Sequence, residues 1–200
     1  MPKPKPKPKP AHAAAVNLHA TEAAEFSAAD GGCACGALRF RLTREPMFVH
    51  CCHCTRCQRE TGGPFAHHAM VEFNAMLVLD GEPAFVQVPT DSGNRHWVAR
   101  CAQCRTALWN EHGSRQAITR YVRVGTLDEP ARFPPRAHIY GRSMQPWLRL
   151  NDLAAPVFDQ YYDAATVWPA AGLARYASAQ AAKVANAAER RAAPGKPAKA

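Results

Sequence analysis

A mostly β domain of short antiparallel strands, flanked by tails of different composition, is the fold that this sequence predicts. Three observations point to it. Runs of four to seven residues read as short strands, and residues 37–42 and 84–88 alternate in side-chain character. Seventeen Pro and twelve Gly punctuate the chain, many of them between those runs. Eight cysteines fall into three tight clusters, which suits a domain whose modest core needs ties besides burial.

The elements follow in order. Residues 37–42 alternate and read as a strand; residues 69–73 and 76–79 read as two more, closed by a turn at Asp80-Gly81. Residues 84–88 alternate again, and Pro89-Thr90-Asp91-Ser92-Gly93 turns the chain. Residues 96–100 return as a strand that delivers Cys101, and residues 118–124 form a further one.

Composition divides the chain into three parts. Residues 1–29 open with a Lys-Pro repeat that cannot bury apolar surface, followed by an Ala-rich stretch; together they read as a disordered extension. Residues 30–160 hold the motifs. Residues 161–200 form an Ala-rich basic tail, a marginal helix that runs into a disordered Pro-Gly-Lys-Pro end.

The formal charge of +9 divides along the same lines. The first thirty residues contribute +1, residues 31–160 contribute +4 without a single Lys, and the tail contributes +4. Basic character therefore lies mostly at the ends, where it permits weak, salt-sensitive contact with nucleic acid or simply confers solubility. No stretch has the length of a membrane helix. The opening residues lack the apolar run of a secretory leader, so a cytoplasmic location with reduced thiols is expected.

Reduced thiols this close together read as metal ligands. Cys33 and Cys35 form a C-x-C pair, Cys51, Cys52, Cys54 and Cys57 crowd into seven residues around His53, and Cys101 and Cys104 form a C-x-x-C pair. On an extended segment, residues i and i+2 share a face, so Cys33 pairs with Cys35 and Cys52 with Cys54, while Cys51 points away. The economical partition is one closed four-thiolate zinc site of Cys33, Cys35, Cys101 and Cys104, and one three-thiolate zinc site of Cys52, Cys54 and Cys57 with an open fourth position. A closed tetrahedral zinc is structural, whereas three protein ligands plus an open position suit catalysis. Three other readings stay open: disulfides, a second structural zinc completed by Cys51 or His53, and iron held by four thiolates.

The residues also resemble a known family. Gly32-Cys33-Ala34-Cys35-Gly36-Ala37 looks like its opening C-x-C-G motif. Cys52-His53-Cys54-Thr55-Arg56-Cys57 with Thr61-Gly62-Gly63-Pro64-Phe65-Ala66 looks like its central C-H-C-x-x-C motif and following glycine turn. Cys101-Ala102-Gln103-Cys104 matches the closing pair, and His138-Ile139-Tyr140, Ser143, Pro146-Trp147 and residues 152–158 resemble its late signature. The family is that of the glutathione-dependent formaldehyde-activating enzymes and the centromere protein V-like proteins. The resemblance implies a β-tent fold with two zincs, Cys33, Cys35, Cys101 and Cys104 holding the structural ion and Cys52, Cys54 and Cys57 holding the ion associated with activity. It implies a carbon–sulfur lyase that forms S-(hydroxymethyl)glutathione from formaldehyde and glutathione. Fold membership alone does not fix a substrate, so a non-catalytic zinc scaffold with partner-binding tails stays open beside it.

Secondary expectations complete the reading. His53, between two ligands, points away from the metal and packs. Arg56 and Arg59 either meet substrate carboxylates or are solvated charges. Gln58 stands where the family more often shows Arg. One of His67 and His68, not both, faces the site. Trp147 is read as a core residue and Cys51 as a buried free thiol.

Overall fold

The computed structural model describes residues 26–90, 93–113, 118–150 and 155–192. The Lys-Pro repeat, the Ala-rich stretch up to residue 25, Asp91 and Ser92, Asp152 and the terminal Pro-Gly-Lys-Pro lie outside the described residues. The fold is mostly β, as the sequence predicts. Its strands are β1 (Ala29–Gly32), β2 (Arg39–Leu42), β3 (Phe48–Cys52), β4 (Ala66–Glu72), β5 (Met76–Asp80), β6 (Pro83–Val88), β7 (His96–Cys101), β8 (Ala107–His112), β9 (Thr119–Arg123) and β10 (His138–Ile139). The α-helices are α1 (Thr55–Thr61), α2 (Ala164–Val167) and α3 (Ala170–Ala192).

The strands form two sheets: a small one in the order β1-β2-β5 and a large one in the order β10-β3-β4-β9-β8-β7-β6. Every pairing is antiparallel except β10 on β3. The small sheet covers one face of the large one, and Phe40, Leu42, Val49, Val71, Trp109 and Val122 make the core between them. Phe40 meets Trp109 edge-on with centroids 6.2 Å apart, the favoured aromatic geometry. Gly81 closes the β5–β6 turn at φ +71, and a Cβ there would strike the Ala37 carbonyl, so only glycine fits.

A second core lies on the opposite face of β3 and β4. Phe48, Met47, Met70 and Ile139 pack there against Tyr162 and Trp168, with Phe48 and Trp168 stacked at 5.6 Å. Packing therefore continues past residue 160. Helix α3 is long because its Ala-rich sequence has high helix propensity, and tertiary contacts hold its first turns. Gly172 lets α3 approach the Met47 carbonyl, and Arg175 Nε donates to Glu72 on β4 at 2.7 Å.

Two predicted strands shift at their ends: β4 begins three residues before residue 69, and the first alternating run pairs only from Arg39. Strands β1, β3, β8 and β10 are additions to the sequence reading. Trp147, expected in the core, is 63% exposed, because the turn after Ser143 carries it outward.

Candidate metal centres

The β1–β2 connection brings Cys33 and Cys35 to one end of the molecule, and the end of β7 with the turn after it brings Cys101 and Cys104 to the same place. All four sulfurs lie within 4.8 Å of one another. Cys33 Sγ is 3.5 Å from Cys35 Sγ, and Cys35 Sγ is 3.8 Å from Cys101 Sγ. A tetrahedron with Zn–S bonds of the usual length has S···S edges of about 3.8 Å, whereas a disulfide would hold its sulfurs at about 2 Å. All eight cysteines are free thiols.

Tight turns aim backbone donors at these sulfurs. The Leu38 N–H points to Cys33 Sγ at 3.3 Å and the Gln103 N–H to Cys101 Sγ at 3.4 Å. Gly36 (φ 79) and Arg105 (φ 62) take left-handed conformations that let the chain turn back. The Thr106 hydroxyl, 3.1 Å from Cys104 Sγ, and then the Thr106 N–H hold that thiol down to about 5. Cys33 and Cys101 are buried, and Cys35 and Cys104 are exposed.

The second set gathers at the end of β3. Cys52 is its last residue, Cys54 is the N-cap of α1, and Cys57 is one turn into that helix. Their sulfurs also lie within 4.8 Å of one another. Cys54 is extended (φ −62, ψ 149), so it shares a side with Cys52, and its Sγ accepts the Cys57 N–H at 3.4 Å. Hydrogen bonds from Cys52, then from Cys57, hold the Cys54 thiol down to about 2, and Cys52 rises in exchange. Cys57 is pushed up to about 12, since Cys54 and burial outweigh the pull of Cys52. Three sulfurs sharing too few protons are a donor set for a soft or borderline cation, and zinc fits.

Cys51 faces the other side of β3, beside His67 of β4 and His138 of β10. Burial pushes its thiol up to about 12 and leaves it an inert packed group. His53 is fully buried and its Nε2 lies 2.8 Å from His138 Nδ1, so it braces the loop between two cysteines. Gln58 is a brace as well. Its Nε2 donates to the carbonyls of His53 (2.7 Å) and Ser143 (2.8 Å), and its Oε1 accepts from Gln145 at 2.6 Å. Arg59 is exposed and Arg56 half-buried.

What sequence reading missed is the polar wall that shares a sheet face with Cys52. On the Cys52 face of the large sheet stand His50 of β3, His68 of β4, Arg123 and Tyr121 of β9, Asn110 of β8, and His96 and His112 where β7 pairs with β8. His68 is the member of the His67/His68 pair on that face. Its ring lies 5.8 Å from His50 and 6.0 Å from Tyr121, while His96 stacks on His112 at 4.2 Å. Both ring nitrogens of His68 and of His96 are buried without a hydrogen-bond partner. Burial holds His50 and His96 down to about 3 and His68 well below its ordinary value, so these rings are neutral. Tyr140 takes a left-handed backbone (φ 57), and burial, then Cys52 and Cys54, push its hydroxyl up. No helix among the described residues is long and apolar enough to cross a membrane.

Comparison with known proteins agrees with this chemistry. A Halomonas elongata protein, named as a candidate glutathione-dependent formaldehyde-activating enzyme, is 25% identical over 129 residues, covering 61% of this chain and 80% of its own. A crystal structure of a Rhodobacter sphaeroides protein overlaps 64% of this chain and 98% of its own at a TM-score of 0.36 and 17% identity, too loosely to carry an argument. The family profile described as glutathione-dependent formaldehyde-activating enzyme matches residues 28–143, which include every cysteine of both sets. That match covers more than half of the sequence, and the chain belongs to the glutathione-dependent formaldehyde-activating enzyme family.

Proposed function

We propose that this protein is a zinc-dependent carbon–sulfur lyase of the S-(hydroxymethyl)glutathione synthase type, with Cys52, Cys54 and Cys57 at its reactive centre and Cys33, Cys35, Cys101 and Cys104 as a structural zinc clip. One observation carries this reading: three sulfurs lie within 4.8 Å of one another with no fourth Cys, His, Asp or Glu atom grouped with them among the described residues. Free thiols throughout suit a reducing compartment, and we place the protein in the cytoplasm.

Zinc bound by these three cysteines would supply Lewis acidity that lowers the pKa of an incoming thiol. The chain's own residues do the rest. The apolar and aromatic surround of Phe158, Tyr162 and Ile139 excludes water beside the sulfurs. The substrate sulfur attacks the formaldehyde carbon, a C–S bond forms, the carbonyl π pair moves to oxygen, and the proton given up by the thiol ends on that oxygen. Tyr140, packed against the cluster that contains Cys52, would donate its hydroxyl proton to the developing alkoxide and take back the one the thiol gives up. Glutathione is the partner that the family implies.

The test is zinc per chain by native mass spectrometry, titrated with glutathione, for the wild type and Cys54→Ser. Two zincs, one of them perturbed by glutathione and missing in the variant, support the reading, and formaldehyde turnover then follows it. Two zincs indifferent to glutathione would overturn it and favour a zinc scaffold.

A further inference from the structure

A cleft of about 450 Å³ opens between the end of α1 and the turn after β7, away from the proposed reaction: none of Cys52, Cys54 and Cys57 lines it. Glu60 and Thr61 stand on one wall, Cys104 and Arg105 on the other. Arg123, which ends β9, lines it as well and is only 6% exposed, so it forms the floor. Its Nε and one terminal nitrogen are buried without a partner, and the other terminal nitrogen reaches only the neutral Asn110 Oδ1, at a long 3.4 Å. A buried guanidinium with so few acceptors is costly, and each such group calls for a ligand that the fold does not supply.

The remaining charges of the cleft are already engaged. Arg100 pairs with Glu60 and donates to the Arg105 carbonyl at 3.0 Å. Arg105 is exposed and directly follows Cys104, where a zinc on four thiolates would carry −2. Among the described residues, Arg123 has no carboxylate within ion-pair distance. A second unsatisfied atom borders the same space: His67 lines the cleft, and its Nε2 is buried without a partner. A hydrogen bond to the Phe133 backbone engages the other ring nitrogen, so Nε2 of the neutral ring is an acceptor.

We propose that this cleft is a binding site for a phosphate-class oxyanion, seated on Arg123 at the floor, closed by Arg105 at the mouth and bordered by His67. The donors and the acceptor together select the class. A guanidinium fork with two free N–H groups takes two oxygens of an oxyanion, and Arg105 is placed to take a third. An ionised carboxylate has only two oxygens and no proton to give to His67 Nε2, whereas a singly protonated phosphate has both the third oxygen and the proton. The cleft also falls within the size range of small-molecule pockets, about 300–1,000 Å³, so the phosphate can be carried by a small organic molecule.

Calorimetric titration of the zinc-loaded full chain with inorganic phosphate, with glycerol 2-phosphate and with acetate, at matched ionic strength, tests this. Both phosphates are expected to bind at one site per chain, and acetate about tenfold or more weaker. Arg123→Gln should weaken phosphate binding by about tenfold or more with zinc content unchanged. Arg105→Gln, at an exposed position that leaves the core intact, should weaken it about threefold, and Arg59→Gln, outside the cleft, should leave it as it is. Tighter binding of the ester would support a phosphorylated small molecule as the ligand, and tighter binding of phosphate would support the free ion. Absence of binding by both phosphates, or acetate binding as tightly, would overturn the proposal. So would phosphate binding that survives Arg123→Gln and Arg105→Gln; loss of zinc in Arg123→Gln beside that survival would make Arg123 a counter-charge for the sulfurs instead. Should Arg123→Gln fail to fold, Arg105→Gln against Arg59→Gln decides alone, and equal affinities in those two would overturn the site.

Discussion

The two cysteine sets differ in what surrounds them rather than in their sulfurs. The set of four sits at the rim, half exposed, among turn N–H groups that point at the sulfurs. The set of three sits at the end of a fully buried strand, on a sheet face that also carries an aromatic cluster, histidines without hydrogen-bond partners and a buried arginine. Backbone N–H groups reach sulfurs in both sets, so the difference lies in the side chains around them. Buried side chains without partners leave work undone, and a substrate can complete it. On the function proposed above, the first arrangement ties chain segments together and the second binds and reacts.

Removing one ligand from each set gives the sharpest break of the comparison. Cys35 and Cys101, with sulfurs 3.8 Å apart, are 66 residues apart in sequence, so a cation there closes a long loop. Cys101→Ser should cost more than about 4 kcal/mol, a large share of a typical domain's stability, and chelators should mimic it. Cys54→Ser closes a segment of only a few residues and should cost about 1–2 kcal/mol while abolishing thiol binding. Thermal unfolding of both variants with zinc counts checks this, and equal destabilisation would erase the distinction drawn between the two sets.

Both sets were legible in the sequence because their geometry is local. C-x-C on an extended segment and C-x-x-C in a turn fix which sulfurs can meet, and the structure gathers the same seven. Strands β2 and β6 were legible from alternation, and β4, β5, β7 and β9 as short apolar-rich runs between turns. Strand β8 was not, because Asn110 and Glu111 break its apolar pattern. Glu111 is wholly buried and survives there because Trp109 Nε1 and Arg120 Nε donate to it at 3.2 and 3.0 Å. Strand β10 has two residues and exists because β3 offers an edge. The polar wall was hidden for a similar reason. His50, His96, His112 and Arg123 come from four different strands, and only the order β3-β4-β9-β8-β7 puts them on one face. The available signal was histidine or arginine at positions where a strand's buried face calls for apolar residues.

That wall sets the next contrast, which is with pH. In the unfolded chain, His96 takes up a proton near 6.5, while in the fold burial delays it to about 3. His68 is depressed in the same way. The unfolded state thus binds more protons across that window, so stability is full above about 6.5 and is lost as pH falls toward about 3. The loss should begin on the three-sulfur side, where the histidines stand. Melting temperature against pH should fall less steeply for His96→Gln than for the wild type, because one differential proton is gone. Identical slopes would mean that His96 takes up no extra proton on unfolding.

The smallest effect isolates the brace of the three-sulfur loop. Gln58 joins α1 to the His53 and Ser143 carbonyls and to Gln145. Gln58→Ala leaves two half-buried carbonyls and one amide without their partner and should cost about 1–2 kcal/mol, or about 3–6 °C in Tm. Its more telling consequence is local. Cys54 lies between His53 and α1, so a loosened loop should weaken the three-sulfur set for metal while the four-sulfur set keeps its ion. Gln58→Arg can still donate to both carbonyls but cannot accept from Gln145, so it should recover most of the stability. Metal affinity measured site by site with a competing chelator separates the outcomes. If Gln58→Ala weakened both sets alike, the loop would be coupled to the rim through the sheet, and the two centres would not be mechanically independent.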